Sequence, residues 1–307
     1  MDLKLFEDFI TLAETHSFSR AAERRNSAQS AFSRRIQSLE RWVGTALVDR
    51  RSTPLQLTAA GEAFWEIAED MLRGIRHGRE EVLSIATQTT TAISFAVTHS
   101  LSLNFFPHWI KEIERKSGPL SLRLLSHDGE KCREALSHGD CHFMICHFDD
   151  RMKEDFKSSR LKSLSLGRDK LIPVSAPMAD RSPLVKVPGT RDSRTPYLSY
   201  AHGSFMGRSL DLFFQESRQP AYLQPCFETS LAECVKAMVI EGHGVGWLPE
   251  TLIRHELETG RLVRAGEPEW EIEFEVRAFR PLTRLPKAAE RLWNLIIQDI
   301  PSVTNFF

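Results

Sequence analysis

Between Thr15 and Thr58 the chain carries eight arginines, Arg20, Arg24, Arg25, Arg34, Arg35, Arg41, Arg50 and Arg51, against three acids, Glu23, Glu40 and Asp49. In a chain whose formal net charge is −1, this local positive excess is the kind of surface that meets phosphate. Gln29, Ser30 and Ser33 lie among these arginines. Side chains of that type at the start of a helix can hydrogen-bond base edges in a major groove, and glutamine suits adenine. Arg34, Arg35, Arg50 and Arg51 would hold phosphates and set register without reading sequence. The same residues also describe an ordinary solvated helix face, so the elements that carry them decide the matter.

A second cluster, Cys141-His142-Phe143-Met144-Ile145-Cys146-His147 with Cys132 and His138 nearby, suggests metal binding. On a strand, alternation places His142 with Cys146 on one face and Cys141 with His147 on the other, so four ligands do not converge. The spacing fits no standard zinc site, and a buried central strand accounts for it better; a regulatory thiol stays open. No metal and no cofactor is expected. The five cysteines are an odd, scattered number, which makes no disulfide framework.

The elements follow from periodicity. Phe6, Phe9, Ile10 and Ala13 predict a first helix ending at His16-Ser17. Ser17 or Ser19 can cap a second helix through Ala21, Ala22 and Glu23. A third, from about Gln29 to Val43, turns Ala31, Phe32, Ile36 and Leu39 inward and ends at Gly44. Leu47-Val48 and Leu55 to Leu57 read as short strands around the basic turn Arg50 to Pro54, a wing. From Ala59 to about Gln88 one long helix carries Phe64, Ile67, Met71, Ile75, Val82 and Ile85 on a stripe, and a second copy of the chain is its simplest partner. Thr87 to Ala92 reads as a hinge. Beyond it, strand-like and helix-like segments alternate, which predicts parallel sheets in an α/β domain.

Length and composition agree with this division. A chain of 307 residues holds two or three units, and 41% apolar with 26% charged residues is the balance of a globular protein. There is no apolar run long enough to span a membrane, and the first residues lack the pattern of a secretory signal. A cytoplasmic protein without membrane contact is expected.

The stretch SFSRAAERRNSAQSAFSRRI, Ser17 to Ile36, followed by ALVDRRSTPLQLTAAGE, resembles the N-terminal domain of LysR-type transcriptional regulators over about the first sixty residues. The resemblance implies double-stranded promoter DNA as a partner. It assigns DNA contact to Ser17, Ser19, Arg20, Ser27, Gln29, Ser30, Ser33, Arg34, Arg35, Arg50, Arg51 and Pro54. It also implies a homodimer through the linker helix and a tetramer of such dimers. Where family members commonly have proline in the first turn of the recognition helix, this chain has Ser30, which could touch DNA or cap the helix.

The rest of the chain resembles the effector domain of the same family, two α/β lobes around a cleft as in periplasmic binding proteins. EGHGVGWLPETLI, Glu241 to Ile253, carries that likeness, with Gly242, Gly244 and Gly246 read as a plain αβ connection. The resulting fold class is multidomain: an all-α winged helix-turn-helix with a long linker helix, then a two-lobed α/β effector domain. The expected boundaries are 1–58, 59–90 and 91–307, with lobe I at about 91–168 and 268–307 and lobe II at about 169–267.

The resemblance places a small-molecule or oxidant effector against Thr98, His99, Ser100, Leu101, Tyr200, Ser204, Met206 and Thr229. HSLSL, from His99, and SFMGR, from Ser204, resemble the hypochlorite-responsive branch of the family. Oxidation of Met206 to a polar sulfoxide would alter packing beside a cleft, though methionine also serves as a gap-filler. The rival reading is an enzyme built on the α/β half with an accessory helical domain. Against it, no GxSxG elbow, phosphate loop, HExxH or dinucleotide fingerprint occurs, and no catalytic residue is assigned. An architectural DNA-binding protein would not need a C-terminal half of this size.

Overall fold

The computed structural model describes residues 2–52, 54–87, 92–152, 161–217 and 219–303. Helix α1 (Leu3–Thr15) starts where the Asp2 carboxylate accepts from the Lys4 amide and stops at His16 in the left-handed conformation. Ser17 takes the N-cap position of α2 (Phe18–Arg24). Helix α3 (Gln29–Val43) begins after Ala28 with no side-chain cap and ends at Gly44 at φ +86°. Ser30 is therefore an exposed first-turn residue and not the cap. Strands β1 (Val48–Asp49) and β2 (Gln56–Leu57) pair antiparallel and form the wing, whose Thr53 lies outside the described residues.

Helix α4 (Ala59–Thr87) is 29 residues long, a span of about 44 Å at 1.5 Å per residue. Its first half belongs to the N-terminal core, where Phe64, Ala68 and Leu72 pack with Phe6, Phe9, Phe32, Ile36 and Leu39. Gly61 makes the close approach possible, since a Cβ there would sit 1.9 Å from the Leu47 carbonyl oxygen. Phe64, expected on the pairing stripe, is thus spent inside its own domain, stacked on Phe6. The stripe that stays open is Ile67, Met71, Ile75 and Val82, at 42%, 47%, 47% and 66% exposed. The side chain of Ile85 and residues 88–91 of the expected hinge lie outside the described residues.

The second half begins with β3 (Ile93–Thr98), α5 (His99–Asn104), α6 (Phe106–Ser117), β4 (Leu122–His127), α7 (Gly129–His138) and β5 (Phe143–Phe148). There follow β6 (Leu161–Ser175), β7 (Thr195–Tyr200), α8 (Phe205–Glu216), β8 (Leu223–Thr229), α9 (Ala232–Ile240), β9 (Gly246–Pro249), α10 (Glu250–Glu258) and β10 (Val263–Arg264). Strand β11 (Ile272–Pro281) and α11 (Lys287–Val303) close it.

The main sheet runs β10-β6-β11-β5-β3-β4, with β9 also on β6. Parallel pairing, expected throughout, is found between β3 and its neighbours and between β7 and β8. The pairs made by β6 and β11 are antiparallel. The reason is topological: β6 and β11 are long strands that lie side by side through both lobes, and the chain returns along the second in the opposite sense to the first. Their register shifts between Val276 and Arg277. Each lobe has its own core, one around Phe95, Trp109, Phe143 and Trp293, the other around Leu198, Val235, Trp247 and Ile253.

The Cys/His segment departs from simple alternation. Strand pairing starts at Phe143, so Cys141 and His142 precede the strand and are not bound by its period. Cys141 packs with Cys146, Cys132 and Met144 in one buried cluster. The His142 Nδ1 lies 3.0 Å from the Ser94 amide, and its ring meets His77 of α4 at 5.0 Å. Only His147 faces the other side, against Phe274 and Phe205. Cys141, expected to share a face with His147, lies instead beside Cys146.

Candidate functional site

The N-terminal face is built by α2, α3 and the wing. Buried Asp8 fixes it from below, accepting hydrogen bonds from Arg25 Nε at 2.9 Å and from Arg35 Nε. Arg35 also donates to the Ser27 hydroxyl at 3.2 Å. Arg35, expected at a phosphate, thus holds the turn against α1 together with Arg25. Glu40 ties the wing to α3 by accepting from the Leu47 and Val48 amides and from Arg50. The Arg50 guanidinium also lies 5.1 Å over the Phe18 ring. Arg20 donates to the Thr15 carbonyl at 2.7 Å, and the Ser17 and Ser19 hydroxyls are 3.0 Å apart.

Exposed on α3 are Gln29, Ser30 and Arg34, with Ser33 half-buried beside them, and Ser19, Arg20, Arg50, Arg51 and Pro54 are exposed around them. Ser30 and Arg34 are four apart, as are Gln29 and Ser33, so each pair shares one side of the helix. Hydrophobic spacing inward and polar groups outward at the N-terminal turns is the geometry a major-groove reader needs.

The second site is a cavity of about 900 Å³ between the lobes. The turn after β3 brings Thr98, His99 and Ser100; the turn between β7 and α8 brings Ser204, Phe205 and Met206; and the turn before α9 brings Ser230 and Leu231. Ser204 positions its turn by donating to the Ala201 carbonyl at 2.7 Å and accepting from the Gly207 amide at 3.0 Å. Gly207 is needed there, since a Cβ would meet Ala201 O at 2.3 Å. The His99 Nδ1 is 3.1 Å from the Ser126 hydroxyl. The Thr98 hydroxyl is buried without a hydrogen-bond partner among the described residues.

Five of the eight expected effector residues, Thr98, His99, Ser100, Ser204 and Met206, therefore line the cavity. Leu101 does not: it is in the lobe I core. Tyr200 is buried in lobe II with its hydroxyl donating to the Trp247 carbonyl at 2.9 Å. Thr229 accepts from the Leu231 amide at 3.2 Å and shapes the third turn from behind.

Sequence reasoning missed His127, Met144, Cys146, His147, Met152, Arg208 and Glu233, which also line the cavity, as does Arg24 from the N-terminal domain. Strand alternation put Met144 and Cys146 on one face but could not say that this face bordered a cleft. His147 is 4% exposed, stacked at 5.6 Å on Phe205. Burial takes its pKa down to about 3, so the ring is neutral. Its Nε2 has no hydrogen-bond partner among the described residues. Burial likewise pushes the Cys146 thiol up, and Cys132 up to about 12, so neither is a ready thiolate.

An exposed polar recognition helix, a wing and a two-lobed cleft define a ligand-responsive DNA-binding regulator. Residues 3–62 match the family model for bacterial regulatory helix-turn-helix proteins of the lysR family, and residues 86–300 match the LysR substrate binding domain. The chain belongs to the LysR family and is a LysR-type DNA-binding transcriptional regulator with a substrate-binding domain.

Among curated relatives, the HTH-type transcriptional regulator YjiE of Escherichia coli (strain K12) is 31% identical over 299 residues, 96% of this chain and 93% of that protein. Among solved structures, full-length HypT from Salmonella typhimurium, a hypochlorite-specific LysR-type transcriptional regulator, has a TM-score of 0.60 at 28% identity, covering 98% of this chain and 99% of that one. Vibrio fischeri DarR, solved in complex with DNA, has a TM-score of 0.58 at 29% identity, covering 96% and 98%. No described helix is long and apolar enough to cross a membrane.

Proposed function

We propose that the chain is a sequence-specific regulator that reads promoter DNA as a homodimer or tetramer in the cytoplasm, catalyses no reaction, and is switched by a small molecule in the cleft. Residues 1–58 form the DNA-binding unit, 59–90 the linker and hinge, and 91–307 the effector unit with lobes at about 91–168 with 268–307 and 169–267. The observation that carries this is the exposed row Gln29, Ser30 and Arg34 on a helix whose opposite face is locked into its own core. Gln29, Ser30 and Ser33 read bases. Arg34, Arg51 and the partly held Arg20, Arg35 and Arg50 face phosphates, while Ser17, Ser19, Ser27 and Pro54 shape the approach. Two copies pair through the exposed face at Ile67, Met71, Ile75 and Val82.

An effector that prefers one cleft geometry shifts the balance between assemblies that differ in half-site spacing. Thr98, His99, Ser100, Ser204 and Met206 meet it directly, with Leu101, Tyr200 and Thr229 in support. The test is a pair of substitutions. Arg34→Ala is expected to weaken operator binding, and Ser100→Ala to spare it while altering effector-dependent transcription. If both abolish binding and unfold the chain, the division of labour fails.

A second reading concerns an oxidant. Met206 shares the cavity wall with Met144, Met152 and Cys146, and the structural relative HypT is hypochlorite-specific. On this reading hypochlorite transfers its oxygen to the Met206 sulfur and leaves as chloride, and the polar sulfoxide changes packing at the cleft wall. Mass spectrometry should find Met206 oxidised at low hypochlorite, with promoter output changed in the native chain and unchanged in Met206→Leu. Equal responses of the two proteins would overturn it.

A further inference from the structure

Arg24 lies on α2 of the DNA-binding domain, yet it reaches the effector domain and lines the mouth of its cleft. One guanidinium nitrogen is 2.6 Å from the Glu134 carboxylate on α7, and the other is 3.3 Å from Glu14 on α1. The second oxygen of Glu14 meets His138 of α7 at 3.3 Å. On the far side, Arg76 of α4 donates to the His138 carbonyl and to Asp140, each at 2.6 Å. None of these charges belongs to either domain's apolar core. Their arrangement is instead complementary across the gap, with opposite signs alternating from one domain to the other.

The helix that receives them has two uses. Its beginning, Gly129 to Lys131, together with Arg133 and Glu134, borders the cavity, while its end, Ser137 to Gly139, carries the linker helix. There Arg73 is 2% exposed and donates to the Ser137 carbonyl at 2.8 Å. A Cβ on Gly139, at φ +76°, would come within 2.8 Å of the Arg73 Cγ and 2.9 Å of its Cα, so the end of α7 packs directly on α4 there. Glu134 is thus shared: it faces the cleft and it holds Arg24.

We propose that α7 is a latch plate for the DNA-binding domain and that Arg24, through Glu134, makes the docking of that domain and the closing of the cleft mouth a single equilibrium. A group in the cleft that binds Arg24 or turns Glu134 away releases the latch, and the recognition helix changes its angle to the effector domain without any change in the residues that read DNA. This goes beyond promoter recognition and does not depend on what the effector is.

The latch can be tested on the full chain without an effector. Spin labels are placed at Glu23→Cys and His108→Cys, both exposed positions, with the exposed Cys226 and Cys234 changed to serine. Labelled chains are diluted with unlabelled protein so that pulsed double electron–electron resonance reads distances within one protomer. The parent is expected to show one dominant distance. Glu134→Arg, which sets like charges face to face, should move at least half of the population to longer distances. The charge swap Arg24→Glu with Glu134→Arg, made together with Glu14→Gln because Glu14 also faces residue 24, should bring the original peak back as the major one. An unchanged distribution in Glu134→Arg, or a swap that does not restore the peak in a chain of unchanged circular dichroism, overturns the proposal. Affinity for DNA is measured separately on the same proteins, so loss of the latch is distinguishable from loss of the regulator reading.

Discussion

The recognition helix and the cleft both present polar groups to a ligand, but they are built in opposite ways. On α3 the groups at 29, 30, 33 and 34 stand on one continuous element whose inward side, Phe32, Ile36 and Leu39, is wholly buried. In the cleft, side chains from Thr98 to Glu233 arrive on the ends of separate strands and helices. A helix fixes the relation between its residues by its own period. A cleft fixes it only through the packing of two lobes, so the helix tolerates change in place and the cleft is sensitive to changes far from it.

The largest effect is expected from removing the inward side of the helix. Phe32→Ala is expected to cost about 3–5 kcal/mol, as for a buried aromatic ring lost from a packed core. The N-terminal unit should then melt first in calorimetry, with the transition of the effector half unmoved. A common shift of both transitions would show one cooperative unit.

Smaller effects come from the outward side. Gln29→Ala is expected to relax base preference by about 1–3 kcal/mol at one position of the half-site, read by competition between operator variants. Arg34→Ala should weaken all sequences alike and lower the slope of log affinity against log salt by about one. If Arg34→Ala changed base preference instead, the assignment of reader and holder would be reversed.

In the cleft, Ser204→Ala removes the cap of α8 and should cost about 1 kcal/mol of lobe II stability while sparing operator affinity. An effect of pH belongs to Asp169, buried on β6 and accepting from the Thr251 amide and hydroxyl. Burial raises its pKa from 3.8 to about 6. Between those values the folded chain keeps a proton that the unfolded chain releases, so stability falls as pH rises through that window and levels off above it. Asp169→Asn should flatten that slope in denaturant titrations at pH 4 to about 6, the window set by the raised value.

The difference between the two regions also explains what the sequence revealed. Helices α1 to α3 and the wing were legible because apolar spacing, the Ser17 cap and the Gly44 stop are local signals, and α3 spans the residues expected of it. Phe64 was misplaced because a stripe shows which residues are apolar, not which neighbour covers each of them. Parallel pairing was overextended because alternation of strands and helices carries no information on a strand such as β6 that serves both lobes.

In the cleft, resemblance located the three turns, and within them Ser204 and Met206, while Leu101, Tyr200 and Thr229 are one step round from the cavity. His147, Met144 and Arg24 could not be found at all, since nothing in their own neighbourhood states what faces them. The carboxylates that hold Arg25 and Arg35 lie on α1, and their role as anchors appears only when the helices are packed.

The proposed function rests on sequence-specific promoter recognition by the N-terminal unit. The most direct measurement is a fluorescence-anisotropy titration of the purified chain on its own upstream intergenic DNA and on a scrambled duplex, across a range of salt. Specific recognition predicts a preference for the upstream fragment that survives at physiological salt. Equal affinity for the two duplexes, lost together as salt rises, would reduce the arginine surface to generic electrostatics and contradict sequence-specific recognition.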